Sequence, residues 1–211
     1  VAVRRPTGIP VDATDVFDVQ TGASPFTAGF PVDLAVQKNL TSTGNWYWIN
    51  RVIGETRYLE TNTTDSEASV GNQGFDNMEE WGYNNWGSQS VGFSWKRATG
   101  YFDVVSYKGD GSTTSDTQTI NHNLGVAPEM VIIKTRDNLP GTDSWWVHHE
   151  ALVTQPINGT VYGYPYTGMT LAPNAFGGAS VLNSAPTSTT FEVYNTNTTN
   201  KINSNYIAYL F

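Results

Sequence analysis

Helical periodicity is nearly absent along the chain and strand signals are plentiful, with small and bulky residues alternating at period two in Val91 to Trp95 and Ile207 to Phe211. Phe102-Asp103-Val104-Val105-Ser106-Tyr107 is β-branched and aromatic, and Lys108-Gly109-Asp110-Gly111 closes it with a turn signature. Met130-Val131-Ile132-Ile133-Lys134 is a continuous apolar run, which predicts a strand buried on both faces. Ser144-Trp145-Trp146-Val147-His148-His149 follows a second turn at Asn138-Leu139-Pro140-Gly141. Phe191-Glu192-Val193-Tyr194 and Tyr206-Ile207-Ala208-Tyr209-Leu210-Phe211 complete the set, with a hairpin turn region expected over Asn195 to Asn205. The best helical candidate, Asp76 to Trp81, is weakened by Gly and Asn neighbours. Many short strands between turns predict an all-β fold of sandwich or jelly-roll type.

The pattern also repeats. Phe17-Asp18-Val19 returns as Phe102-Asp103-Val104, and Pro31 to Lys38 returns as Pro128 to Lys134 with one residue fewer. Trp46-Tyr47-Trp48-Ile49 returns as Trp145-Trp146-Val147, and Val91-Gly92-Phe93-Ser94-Trp95 parallels Ile207-Ala208-Tyr209-Leu210-Phe211. Four anchors in the same order predict two tandem related β-sandwich, jelly-roll-like units, over residues 17–97 and 102–211, or two halves of one larger assembly. Residues 1–16, with Pro6, Gly8 and Pro10, read as an extended arm or linker. The second unit is longer, chiefly at Gly109 to Gly125 and Thr154 to Ala185, and loops added to a shared scaffold are where function diverges. The chain starts at Val1 and ends on a strand-like run, which reads as a piece of a longer polypeptide.

Composition narrows the function classes. Charged residues are only 14% of the 211, and the net charge is -8. Basic residues never exceed pairs, so the counterion-displacing face of a nucleic-acid binder is not visible. No apolar run approaches the roughly 20 residues of a membrane helix. The absence of cysteine removes disulfides, thiolate zinc sites and cysteine nucleophiles.

Several of these segments together resemble a known family. They are Tyr101 to Ser112, His122-Asn123-Leu124-Gly125-Val126-Ala127-Pro128 leading into Lys134, Asn62-Thr63-Thr64-Asp65, Val91 to Lys96, and Tyr206 to Phe211. The family is a repeated domain of unknown function in long virion proteins of tailed bacteriophages, especially marine and cyanobacterial ones, labelled tail fibre or tail structural proteins. The resemblance covers most of 17–211 and implies a non-enzymatic virion structural protein, part of a tail fibre or host-adhesion appendage. It implies assembly in the bacterial cytoplasm, other virion subunits as partners and homo-oligomerisation. No catalytic residue, cofactor or metal transfers with it. The first unit departs from the pattern, lacking the Gly-Asp-Gly turn and the His-Asn-Leu-Gly step.

The residues themselves offer few chemical constellations. His148-His149-Glu150 would place His148 and Glu150 on one strand face, but two ligands without a third make no zinc site. His122 reads as a turn or cap residue, and Asp110-Gly111 and Asp65-Ser66-Glu67 as turns rather than calcium loops. Glu79, Glu80, Asp103, Asp110 and Glu192 are carboxylates that a glycan depolymerase could pair across a cleft. The four Asn-x-Ser/Thr sites, at Asn39, Asn62, Asn158 and Asn197, read as polar turn residues. Seven Trp, eleven Tyr and nine Phe are the stronger signal. Trp46, Trp48, Trp95, Trp145, Phe75 and Phe191 occupy repeat anchors and are expected in the core. Trp81, Tyr83 and Trp86 in one Gly/Asn-rich stretch, and Tyr162, Tyr164 and Tyr166 in another, are expected on surface loops. Such rings suit a neighbouring subunit or a host cell-surface glycan. A head decoration or virion-assembly role is the alternative to host adhesion, and a depolymerase a more distant third.

Overall fold

The computed structural model describes residues 9–75, 77–82, 87–111, 117–139, 144–149, 182–194 and 198–211. The first repeat contributes β1 (Phe17–Gly22), β2 (Phe26–Thr27), β3 (Leu34–Asn39), β4 (Trp46–Asn50), β5 (Arg57–Glu60), β6 (Ala68–Ser69), β7 (Glu80–Trp81) and β8 (Ser90–Trp95). The second contributes β9 (Asp103–Lys108), β10 (Thr117–Asn121), β11 (Met130–Thr135), β12 (Trp146–His149), β13 (Thr190–Tyr194) and β14 (Asn205–Leu210). The fold is all-β; the one helical turn among the described residues is a 3-10 turn, Ala13–Asp15. Glu80–Trp81, inside the span where a helix was the best candidate, is strand.

Strand order gives the repeat a structural counterpart. The first half orders its large sheet β1-β8-β3-β4-β5-β6 and pairs β2 with β7 separately. The second orders β9-β14-β11-β12 and pairs β10 with β13. First strand with last, second with penultimate, is jelly-roll winding. Register is shared as well: Phe93 lies between Val19 and Val36 as Tyr209 lies between Val104 and Ile132. The turn between the halves is short, with an Ala98–Phe102 bridge closing over Gly100, whose φ of +82° a side chain would strain.

The two large sheets meet face to face on one core. Leu34, Val36, Trp48 and Leu59 from the first half pack with Val104, Ile132, Val147, Ile207 and Tyr209 from the second. Trp48 meets Trp145 and Tyr209 edge-on, with centroids 5.2 and 4.8 Å away. Each large sheet is covered on its outer side by its own two-stranded layer. Phe26, Phe75 and Trp81 pack on Ala35 and Ile49, and Ile120, Phe191 and Val193 pack on Val131, Ile133 and Ala208. The continuous apolar run of β11 follows from this: it is sandwiched on both faces, with Val131 to Thr135 all buried.

Polar contacts lock the same seam. Asn50 Nδ2 donates to the Tyr209 hydroxyl at 3.0 Å, and Trp145 Nε1 donates to the Glu60 carbonyl at 3.0 Å. Arg136 pairs with Glu67 at 2.6 Å, and Arg97 with the buried Asp103 at 2.6 Å. The Arg97 amide donates to the buried Asp33, which also holds Arg51.

Four local expectations are corrected. Lys108-Gly109-Asp110-Gly111 does not close a hairpin, because β9 pairs with β14 while β10 pairs with β13. It interlocks instead with residues 200–204: Gly109 N donates to Ser204 O, Gly111 N to Asn200 O, and Ile202 N to Gly111 O. For the same reason residues 198–204 cross between sheets rather than turning a hairpin. The arm is not wholly free of the fold, since Asp12 caps the 3-10 turn, Val16 is buried and its carbonyl accepts from Lys96 N. Among the repeat-anchor rings, Trp48, Trp145, Phe75 and Phe191 are buried, Trp95 is half-buried and Trp46 is 37% exposed.

Candidate functional site

Of the rings expected on surface loops, Tyr83, Trp86, Tyr162, Tyr164 and Tyr166 lie outside the described residues. Trp81 is not on a surface loop. It is fully buried on β7, its Nε1 donates to Ser94 Oγ at 2.8 Å, and its ring tilts against Phe26 at 4.9 Å. A Cβ at Gly92 would stand 2.8 Å from both rings, so the glycine gives them their seat on the large sheet. The pair fastens the β2·β7 layer down.

That layer is two strands wide and the sheet beneath it is six. Its margin falls at β4 and β5, where Tyr47 and Tyr58 are only partly buried. Tyr47 faces outward because β4 alternates: Trp48 enters the shared core, so its neighbour points the other way. The two tyrosine rings meet edge-on with centroids 5.1 Å apart. Glu60 is the cross-strand partner of Tyr47 on β5, and Gln37 its partner on β3, so all three lie in one row on the outer face.

The polar groups of this shelf are held in place. Asn45 Nδ2 donates to Glu60 Oε2 at 2.6 Å, and Thr63 Oγ1 reaches the same oxygen at 3.4 Å. Asn62 Nδ2 donates to Asn45 Oδ1 at 2.7 Å, while Asn62 Oδ1 accepts from Trp46 N at 3.1 Å. A backbone-anchored relay thus fixes one carboxylate oxygen of Glu60, and no described residue hydrogen-bonds the other. Gln37 donates to Ser90 Oγ at 2.9 Å, but its Oε1 is buried without a partner. Burial, and then the Glu60 charge, push both tyrosine hydroxyls above their ordinary range, so they stay protonated donors near neutral pH. Sequence reasoning missed Tyr47, Tyr58 and Glu60; the alternation in Trp46-Tyr47-Trp48 was the available signal.

The other constellations are absorbed by structure. His122 Nδ1 accepts from Leu124 N and its Nε2 reaches Thr187 O, each at 3.2 Å, the turn role expected of it. His148 is buried among the second half's outer core, with Nδ1 unpartnered; burial, then the neighbouring His149, lowers its pKa. Glu150 lies outside the described residues, and no group of three or more metal-ligating side chains forms among those described. Asp103 is taken by Arg97, Asn123 N and Val104 N. Asp110 is held by Asn200, and Glu192 by Asn183, Thr117 and Ser184. The hydrogen bond from Asn183 is the main cause of Glu192's lowered pKa.

Fold and site together define an all-β double sandwich bearing an aromatic, hydrogen-bonding shelf on one outer face. The chain belongs to the DUF7483 family, a domain of unknown function, whose family model matches residues 16–211. No curated protein and no solved structure matches it.

Proposed function

We propose that the chain is a non-enzymatic structural and attachment module of a bacteriophage virion, part of a tail fibre or host-adhesion appendage. The observation that carries an attachment role is the Tyr47–Tyr58 shelf: ordered rings beside a carboxylate with one fixed and one open oxygen. The shared core supports it, because a scaffold locked across both halves holds surface groups still, and fixed groups lose less entropy on binding. The resemblance in sequence to tail structural proteins supplies the particle. Weak contacts by each copy become strong when many copies are presented together, and the chain works as a homo-oligomer among other virion subunits.

The test uses the labelled chain, presented on a multivalent bead, against marine and cyanobacterial cells. Saturable binding is expected, reduced when Tyr162, Tyr164 and Tyr166 are replaced by serine if those rings also serve adhesion. Binding absent from every cell type, with the protein folded, rejects host adhesion.

A second reading, subunit packing in a head decoration or assembly protein, is favoured by a different observation. Ile9 and Val11 are 87% and 90% exposed beside a cleft of about 470 Å³ lined by Ala28, Phe30 and Lys96. Cross-linking from this cleft to other virion proteins, without cell binding, would favour that role.

A further inference from the structure

We infer that the Tyr47–Tyr58 shelf is a subsite for one neutral sugar ring of a surface glycan, with Glu60 Oε1 accepting from its hydroxyls. The inference rests on the attachment reading above and names the chemistry that reading leaves open.

Three features select this ligand. Two rings edge-on at 5.1 Å offer an apolar patch with hydroxyl tips, which suits the C–H face of a pyranose and its polar rim. The open group beside it is an acceptor. Glu60 Oε2 is occupied by Asn45 and Thr63, which leaves Oε1 to a donor. That open carboxylate oxygen is matched by a ligand rich in O–H, and a polyol provides it. Charge then excludes the anionic sugars. Glu60 is a carboxylate in a chain of net charge -8, and the shelf row presents no Lys or Arg to pair with a uronate or phosphate.

The relay makes the site ready before the ligand arrives. Asn62 is tied to the Trp46 amide, Asn45 to Asn62, and Glu60 to Asn45, so the carboxylate is oriented from the backbone of β4. Fixed side chains lose little freedom on binding. The second half has no matching shelf among the described residues. Trp146 occupies the place of Tyr47 in the ladder and is buried.

The experiment measures binding of the multivalent full chain to immobilised neutral oligosaccharides, to uronate-containing ones, and to the cells. Four proteins are compared: wild type, Tyr58→Ala, Glu60→Gln, and Tyr101→Ala as a control for an exposed ring elsewhere. Tyr58→Ala should weaken neutral-glycan binding by about tenfold or more, the scale of an interface anchor. Glu60→Gln removes the charge, and because its amide oxygen must accept from Asn45 and Thr63, it turns a donor NH2 toward the ligand, so neutral binding should fall several-fold while uronate binding appears. That gain is something misfolding does not produce. Tyr101→Ala should bind as wild type does. Neutral-glycan binding unchanged in folded Tyr58→Ala overturns the shelf. So does a wild-type preference for uronates. Cell binding that persists at full strength in Tyr58→Ala and Glu60→Gln sinks the subsite and leaves the adhesion role standing. No binding to cells or glycans by any protein overturns both.

Discussion

Gly109 sits where two turns pass through each other's hydrogen bonds. A Cβ there would stand 2.2 Å from the Lys201 carbonyl oxygen, which is backbone and cannot swing aside. Gly109→Ala should therefore destabilise by about 3 kcal/mol, the upper range for overpacking, read as a drop in the urea midpoint. Gly44→Ala is the matching control. Its new methyl would meet only Ser42 Oγ at 3.3 Å on an exposed turn, and its effect should stay within about 0.5 kcal/mol. His148 gives the residue-scale prediction for pH. Its pKa is lowered by burial first and His149 second, so the folded state prefers the neutral ring. The unfolded chain binds the proton more readily below about pH 6.5. Stability from this site is thus complete above that pH and declines as pH falls toward the depressed folded value. Thermal melts at pH 7.5 and 5.5 should differ less in His148→Leu than in wild type.

Among the elements, β4 serves two faces by simple alternation. Trp48 faces the other half while Tyr47 faces the shelf. Trp48→Ala removes a ring packed against Trp145 and Tyr209 and should cost about 3–5 kcal/mol, measured by urea unfolding. Much of this level was legible in the sequence. The runs that became β9, β11, β13 and β14 were readable from β-branched and aromatic density, and β11's double burial from its unbroken apolar stretch. Turn chemistry was less reliable. Lys108-Gly109-Asp110-Gly111 has hairpin residues, but glycine there serves a close backbone approach from a segment some 90 positions later. A local signature cannot tell those two uses apart. Trp81 misled for a related reason: its Gly and Asn neighbours are loop-like, while the two-residue strand that buries it depends on the distant Phe26 and Gly92. The shelf was invisible because Tyr47, Tyr58 and Glu60 converge only once β4 and β5 pair.

At the scale of the whole molecule, the repeat predicts more than resemblance between halves. A core drawn from both sheets leaves neither half with a complete interior of its own. Unfolding should be a single transition, with calorimetric and van't Hoff enthalpies equal. Hydrogen exchange offers the sharper reading. Val36→Ala, in the first half, should speed exchange in β11 and β14 of the second as much as in β3. Protection that falls only in the first half would mean the halves open separately.

The turn at residues 98–101 has a consequence beyond joining two sheets. Two separate subunits meeting through this face would part on dilution, and each would need to keep a surface that fits its twin. Covalent linkage holds the faces at an effective concentration on the order of millimolar at all dilutions. It also frees the halves to differ. Trp145 is sealed in the seam while its counterpart Trp46 remains part-open, and Trp146 is buried where Tyr47 is only partly so. Joining the copies releases them from symmetry, so one half can leave tyrosines partly exposed on a face where the other buries a tryptophan.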